Sequence, residues 1–220
     1  MMRRLMVAIR RSHGDDSGTS LVELLVAMIV VSLLGAAMVA GVASMTKNET
    51  ISNTHATETN AAQTNLDRIS RYLRASWLNG GTPSYAFTNA AANQATFYSD
   101  LGAASGPQKV NLYVTGPTTA GVLHEELTSA TGTGPNYVWP GTPTTARVNP
   151  GNVDTTSPIF TYYSVGGPNN TTLTPLTVPL TNPATSPIAA VRVTLTQRSA
   201  TNTSFVTVST LIFLRNAETY

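Results

Sequence analysis

Residues whose side chains suit acid–base or metal chemistry are few and scattered. His13, His55 and His124 lie far apart, and none belongs to a His-Glu-x-x-His motif. His124 and Glu126 alternate within a predicted strand and so share one face, which an exposed strand explains better than a metal site. The chain has no Gly-x-Ser-x-Gly, phosphate-binding or dinucleotide motif, and no Cys. We therefore expect no enzyme activity, catalytic residue, metal or cofactor.

One carboxylate, Glu23, is notable for its position. It lies at the start of an apolar run, and the 22 residues from Leu24 to Met45 contain no charge, proline, Asn or Gln. As a helix, that run would be roughly 33 Å long, which matches the hydrocarbon core of a bilayer. Placing a carboxylate at the edge of such a segment costs free energy in lipid, so we interpret Glu23 as a functional residue.

The element that carries Glu23 is predicted to be a long helix. All 13 prolines lie at Pro83 or later, so the stretch from about Thr19 to Leu78 is free to be helical. Its second half, residues 46–80, is polar with a one-sided apolar stripe, as expected for a helix that lies on a globular domain. That stripe consists of Ala62, Leu66, Ile69 and Leu73. Asn79–Pro83 supplies the predicted stop.

Residues 81–220 are predicted to form a β-rich globular domain. Period-2 alternation or β-branched and aromatic runs indicate strands at 109–116, 121–127 and 159–165, and a hairpin over 191–216. Residues Thr128–Asp154 and Gly166–Pro187 are rich in Gly, Pro, Thr and Asn, so we interpret them as long connections. The expected fold class is α+β, with the long helix packed on an antiparallel sheet.

The charge distribution argues against a nucleic-acid partner. The net charge is +2, and arginines at positions 3, 4, 10 and 11 hold most of the basic excess. Beyond residue 18, basic and acidic residues balance, so no basic face is expected. Arginines that precede an apolar span indicate instead a cytoplasmic flank, with the N-terminus inside.

Three interpretations of the N-terminus remain open. A secretory signal peptide has a shorter apolar run, and here a polar spacer, residues 13–20, separates that run from the basic residues. A plain signal anchor would leave Glu23 near the lipid interface. In the third, the chain is cleaved between Gly18 and Thr19, and the apolar segment stays on the mature protein.

The third interpretation resembles the type IV prepilins and type II secretion pseudopilins. Their signature is a basic leader that ends in Gly, one further residue, a small polar residue, two aliphatic residues, Glu and about twenty apolar residues. This chain has Gly18, Thr19, Ser20, Leu21, Val22 and Glu23 in that order. Residues 65–77 and 210–216 further resemble the J-type minor pseudopilins and related minor pilins.

The resemblance implies a structural subunit of a pilus or secretion filament. Residues 1–18 would be the leader, Gly18 and Thr19 the processing site of a prepilin peptidase, and residues 19–45 the transmembrane and filament-core helix. Glu23 matches the residue that serves assembly and N-terminal methylation. The implied partners are the peptidase, other pilin subunits and the cytoplasmic (inner) membrane, with the globular domain outside it. After assembly, the subunit would lie in a filament or at the cell surface.

The chain departs from the family pattern at several points. Thr19 replaces the usual Phe or Met at the first mature position, and Asp15 and Asp16 stand just before the cleavage point. The pair of Cys that often closes a loop in major pilins is missing. The alternative function is a single-pass membrane protein that displays a β-rich adhesive or sensing domain.

Overall fold

The computed structural model describes seven stretches of the chain, which are residues 20–77, 86–102, 106–134, 136–166, 172–183, 187–199 and 205–214. The chain divides into two compact units, residues 1–50 and residues 51–220. The leader predicted at residues 1–18 lies outside the described residues.

One helix, α1, covers Leu21–Arg74 and is 54 residues long. It confirms the long proline-free helix, although it ends before the predicted limit at residue 80. The following residues pair with the strand Gln94–Ser99 instead of continuing the helix. The Trp77 N–H donates to the Tyr98 carbonyl at 2.9 Å, and the Asp100 N–H donates to the Ala75 carbonyl at 2.8 Å. The predicted stop at Asn79–Pro83 lies outside the described residues.

The described residues after α1 form a nine-stranded sheet. Its strands are β1 Phe87–Ala90, β2 Gln94–Ser99, β3 Gln108–Thr115, β4 Gly121–Ser129, β5 Thr144–Asp154, β6 Phe160–Gly166, β7 Thr172–Pro175, β8 Ala190–Arg198 and β9 Phe205–Phe213. The spatial order is β1-β2-β3-β4-β5-β8-β6-β7, and β9 pairs with β8. Every pairing is antiparallel. The α+β class, with a long N-terminal helix and a C-terminal antiparallel sheet, is therefore confirmed.

The two predicted long connections were wrong in part, because each contains a strand. The strand β5 lies within Thr128–Asp154, and β7 lies within Gly166–Pro187. Pro150 and Gly151 interrupt the alternation of β5, and Asn152 has a positive φ of 73°. The pairing of β4 with β5 shifts register twice. A bulged strand of this kind keeps its backbone ladder while it loses the period-2 pattern.

The predicted stripe on α1 is confirmed as the contact with the sheet. Ala62 and Leu73 are fully buried, and Leu66 and Ile69 are nearly so. Three of these four side chains belong to one apolar cluster that includes the aromatic residues Phe87, Phe97 and Tyr162. The Phe87 ring lies 5.2 Å from Phe97 and 5.6 Å from Tyr162, in tilted and edge-on geometries that aromatic pairs prefer.

Candidate functional site

The apolar half of α1 is exposed along its length. Its large aliphatic side chains between Leu21 and Met45 are between roughly half and four-fifths exposed. The helix is long and apolar enough to cross a membrane, and it lies near the N-terminus. Contiguous apolar surface of this extent is not stable in water, so this segment indicates insertion into lipid or burial against other helices.

Glu23 lies in the first turn of α1, and Ser20 caps that turn. The Glu23 N–H donates to the Ser20 side-chain oxygen at 3.2 Å and to the Ser20 carbonyl at 2.9 Å. A Ser at the cap and a Glu three residues later form the pattern of a capping box, and the helix dipole favours a carboxylate there. Among the described residues, however, no donor bonds the Glu23 carboxylate, which is exposed.

Gly18 and Thr19, the other two predicted site residues, lie outside the described residues. Glu23 is thus the one predicted processing or assembly residue whose position is described. The structure brings no second acidic or basic side chain from the described residues against it.

His124 and Glu126 lie on the outer face of β4, as alternation predicts. Glu126 accepts hydrogen bonds from the Tyr113 hydroxyl at 2.7 Å and from the Asn111 amide at 3.0 Å. These bonds lower the pKa of Glu126, and the hydrogen bond to Glu126 raises the pKa of Tyr113. The His124 ring stacks on Tyr113 at 4.9 Å and contacts the Thr115 hydroxyl at 2.8 Å.

This arrangement is a cross-strand polar network rather than a metal centre. The described residues contain no group of three His, Asp or Glu side chains that could hold a metal ion. His55 lies on α1, while His13 is outside the described residues. The structure therefore does not bring the histidines of the described chain together.

The residue between His124 and Glu126 has a role that the sequence analysis did not assign. Glu125 points to the opposite, buried face of β4, and its side chain is 8% exposed. Its carboxylate accepts hydrogen bonds from Arg68 Nη2 at 2.9 Å and from the Tyr72 hydroxyl at 2.7 Å, and Arg68 Nε lies 2.8 Å from the second oxygen. Both partners belong to α1.

The Arg68–Tyr72–Glu125 cluster fixes the last turns of α1 on β4. Burial disfavours the charged guanidinium, but the hydrogen bonds and charge of Glu125 outweigh it, so the pKa of Arg68 is raised. Burial and then the same carboxylate raise the pKa of the Tyr72 hydroxyl. The alternation of His124 and Glu126 on one face already implies that Glu125 faces the core and needs a partner.

A second buried carboxylate connects β5 to β8. Asp154 is 5% exposed, and it pairs with Arg198 and accepts two bonds from Thr156, at 2.8 Å from the N–H and 2.6 Å from the hydroxyl. Burial alone would raise the pKa of Asp154. The bonds from Thr156 and the bond and charge of Arg198 outweigh burial, so the pKa of Asp154 is lowered. The short β5–β8 pairing covers only two residue pairs, so this ion pair reinforces it.

Comparison with protein-family models, with curated proteins and with solved structures gives no match.

Proposed function

We propose that the chain is a minor pilin or pseudopilin, a structural subunit of a type IV pilus or a secretion filament. In this proposal, a prepilin peptidase cleaves between Gly18 and Thr19. The apolar half of α1 first anchors the subunit in the cytoplasmic membrane and then packs into the filament core. The sheet domain lies on the outer side of the membrane, and the subunit itself catalyses no reaction.

The observation that carries the proposal is an exposed apolar helix with its one carboxylate in the first turn. Glu23 is the only charged residue between Leu21 and Met45, and no described donor bonds its carboxylate. A buried charge without a partner costs several kcal/mol, which a partner of opposite sign offsets in large part. The arrangement therefore supports a partner that arrives only on assembly.

Cleavage would create that partner. After cleavage, Thr19 carries a free α-amine that is positive at neutral pH, and Glu23 follows four residues later, about one helical turn. When apolar helices pack side by side, the amine of one subunit and Glu23 of its neighbour would leave water together. Helices would then insert favourably only in the register that pairs these two groups.

The capping geometry favours a second candidate function. If Glu23 serves only the helix start beside Ser20, the chain is a membrane-anchored protein that displays its β-rich domain, without cleavage or assembly. A cap of this kind is worth about 1 kcal/mol. Ser20→Ala would then destabilise the helix start at least as much as Glu23→Val, because the cap joins the Ser20 side chain to the Glu23 N–H, which Glu23→Val retains.

The first test is processing. Co-expression with a prepilin peptidase should shorten the chain by 18 residues, and N-terminal sequencing should find Thr19. Gly18→Glu should leave a full-length precursor because a bulky charged side chain obstructs the cleavage point. Recovery of Met1 from the unmodified chain, or of an N-terminus beyond Met45, would refute the proposed processing.

The second test is assembly. Glu23→Val should leave membrane insertion and cleavage intact, because the helix becomes more apolar and the scissile bond is unchanged. Incorporation into sheared filaments, measured by immunolabelling, should fall sharply, and Glu23→Asp should be intermediate. Glu49→Val, which removes another exposed α1 carboxylate, is the matched control. Ser20→Ala should assemble almost normally. Equal incorporation of Glu23→Val and Glu49→Val would favour the anchored-domain alternative.

A further inference from the structure

The strand β9 has one edge that is free of hydrogen bonds to any described strand. It pairs with β8 over its full length, from Phe205 opposite Arg198 to Phe213 opposite Ala190, without a register shift. No second strand among the described residues pairs with it. A free edge presents a row of N–H and C=O groups to any strand that approaches it.

The hydrogen bonds of β8 show which β9 groups point outward. The Thr194 N–H donates to the Ile159 carbonyl at 2.9 Å, so Thr194 directs its backbone groups away from β9. Its cross-strand neighbour Ser209 therefore forms a non-hydrogen-bonded pair with it and directs its own N–H and C=O to the free edge. By alternation, the same holds for Phe205, Thr207, Leu211 and Phe213.

The other two outer strands of the described sheet carry features that protect an edge, and β9 lacks them. The strand β1 has four residues, a register shift after Phe87 and a bond from the Leu180 N–H to the Ala90 carbonyl. The strand β7 has four residues and ends in Pro175. The nine residues of β9 include no charge and no proline, which are two usual means of blocking an edge.

We propose that the free edge of β9 pairs with β9 of a second copy of this chain, antiparallel and about a two-fold axis at Ser209. The outer two residues at each end of the strand, Phe-Val-Thr-Val-Ser-Thr-Leu-Ile-Phe, are symmetric in type about that residue. Phe205 of one copy lies opposite the partner's Phe213, and Val206 lies opposite the partner's Ile212. Every outward N–H and C=O of the strand is paired in this register.

The exposed aromatic side chains of β9 indicate that the strand that binds its free edge is β9 of a second copy. Phe205 is 63% exposed and Phe213 is 61% exposed, at opposite ends of β9 and on the same face. A two-fold axis places each against the other, and cross-strand aromatic pairs stabilise antiparallel strands. Because β9 has no charge, no like charges face each other. This interface does not depend on the function proposed above.

A single cysteine tests the register, because the chain has none of its own. In Ser209→Cys, the two sulfur-bearing residues face each other, with Cα atoms about 5.5 Å apart, within disulfide range. Thr207→Cys is the matched control, because it lies on the same strand and face but about 14 Å from its copy. The full chain, purified in detergent, is oxidised mildly and resolved on a non-reducing gel.

We expect Ser209→Cys to give at least about tenfold more disulfide-linked dimer than Thr207→Cys. Addition of Thr207→Pro to Ser209→Cys should reduce the cross-link to the control level. The Thr207 N–H faces outward, so proline removes a backbone bond to the second copy and no backbone bond to β8. The bond between the Thr207 and Thr196 hydroxyls, at 2.9 Å, is lost in Thr207→Cys and in Thr207→Pro alike. Thermal melts of the variants should agree within a few degrees with that of the unmodified chain. Equal cross-linking at positions 207 and 209, or full cross-linking in the proline variant, would overturn the proposal.

Discussion

The Glu125 carboxylate should be the most sensitive single position in the contact between α1 and the sheet. Glu125→Gln retains the shape of the side chain but removes the charge that Arg68 and Tyr72 share. It also leaves a buried amide N–H₂ facing two donors, since Arg68 and the Tyr72 hydroxyl both donate to this carboxylate. One of the two donors then lacks an acceptor.

The expected loss of stability follows from how deeply the Arg68–Glu125 ion pair is buried. Breaking a fully buried ion pair costs about 3–5 kcal/mol, but the Arg68 side chain is 33% exposed and can be solvated in part, so about 2–3 kcal/mol is expected. For a domain of 150–250 residues, each kcal/mol lowers Tm by roughly 2–4 °C, so a fall of about 4–12 °C should be observed. The assay is thermal unfolding of residues 46–220, followed by circular dichroism.

The adjacent residue is the control. Glu126→Gln removes a carboxylate with two hydrogen bonds on the half-buried outer face, so it should cost less than about 1 kcal/mol. Arg68→Gln combined with Glu125→Gln should cost less than the sum of the two single variants, because each alone breaks the same pair. If Glu125→Gln and Glu126→Gln lower Tm equally, Glu125 does not anchor the helix.

Three further outcomes are expected. Residues 46–220 should be soluble without detergent and the full chain should not, because the exposed apolar run ends at Met45; size-exclusion chromatography with and without detergent measures this. Because folding raises the pKa of Tyr72, its protonated hydroxyl contributes stability that is fully present below pH about 10 and is lost as pH rises through the pKa of the folded state. Tyr72→Phe should therefore flatten the alkaline limb of a Tm–pH profile. Because folding lowers the pKa of Asp154, its carboxylate contributes stability that is present above pH about 4 and is lost as pH falls through the pKa of the folded state. Asp154→Asn should therefore flatten the acid limb of the same profile. An unchanged limb would contradict the hydrogen bonds assigned to Tyr72 or to Asp154.

Features with a local period were predictable from the chain alone. The helical stripe from Ala62 to Leu73 was recognisable because burial on one helix face repeats about every 3.6 residues. Strands β3, β4, β6 and the β8–β9 hairpin were recognisable from alternation or from β-branched and aromatic content. The absence of proline before Pro83 likewise permitted one long helix. Each of these signals depends only on neighbours within about one turn or one strand.

Features that depend on distant pairing required the fold. The segment that forms β5 has the sequence pattern of a connection, because Pro150 and Gly151 remove its alternation. Its hydrogen-bonded ladder with β4 is set by the partner strand. The Glu125 partner is 57 residues away, and no local pattern indicates which helix turn lies over which strand.

The sequence alone also singled out Glu23 as the one carboxylate at the edge of a membrane-length apolar run, because charge and hydropathy are properties of the residues themselves. The free edge of β9 became visible only in three dimensions. It depends on where the backbone N–H and C=O groups point, and that direction is set by the pairing of whole elements.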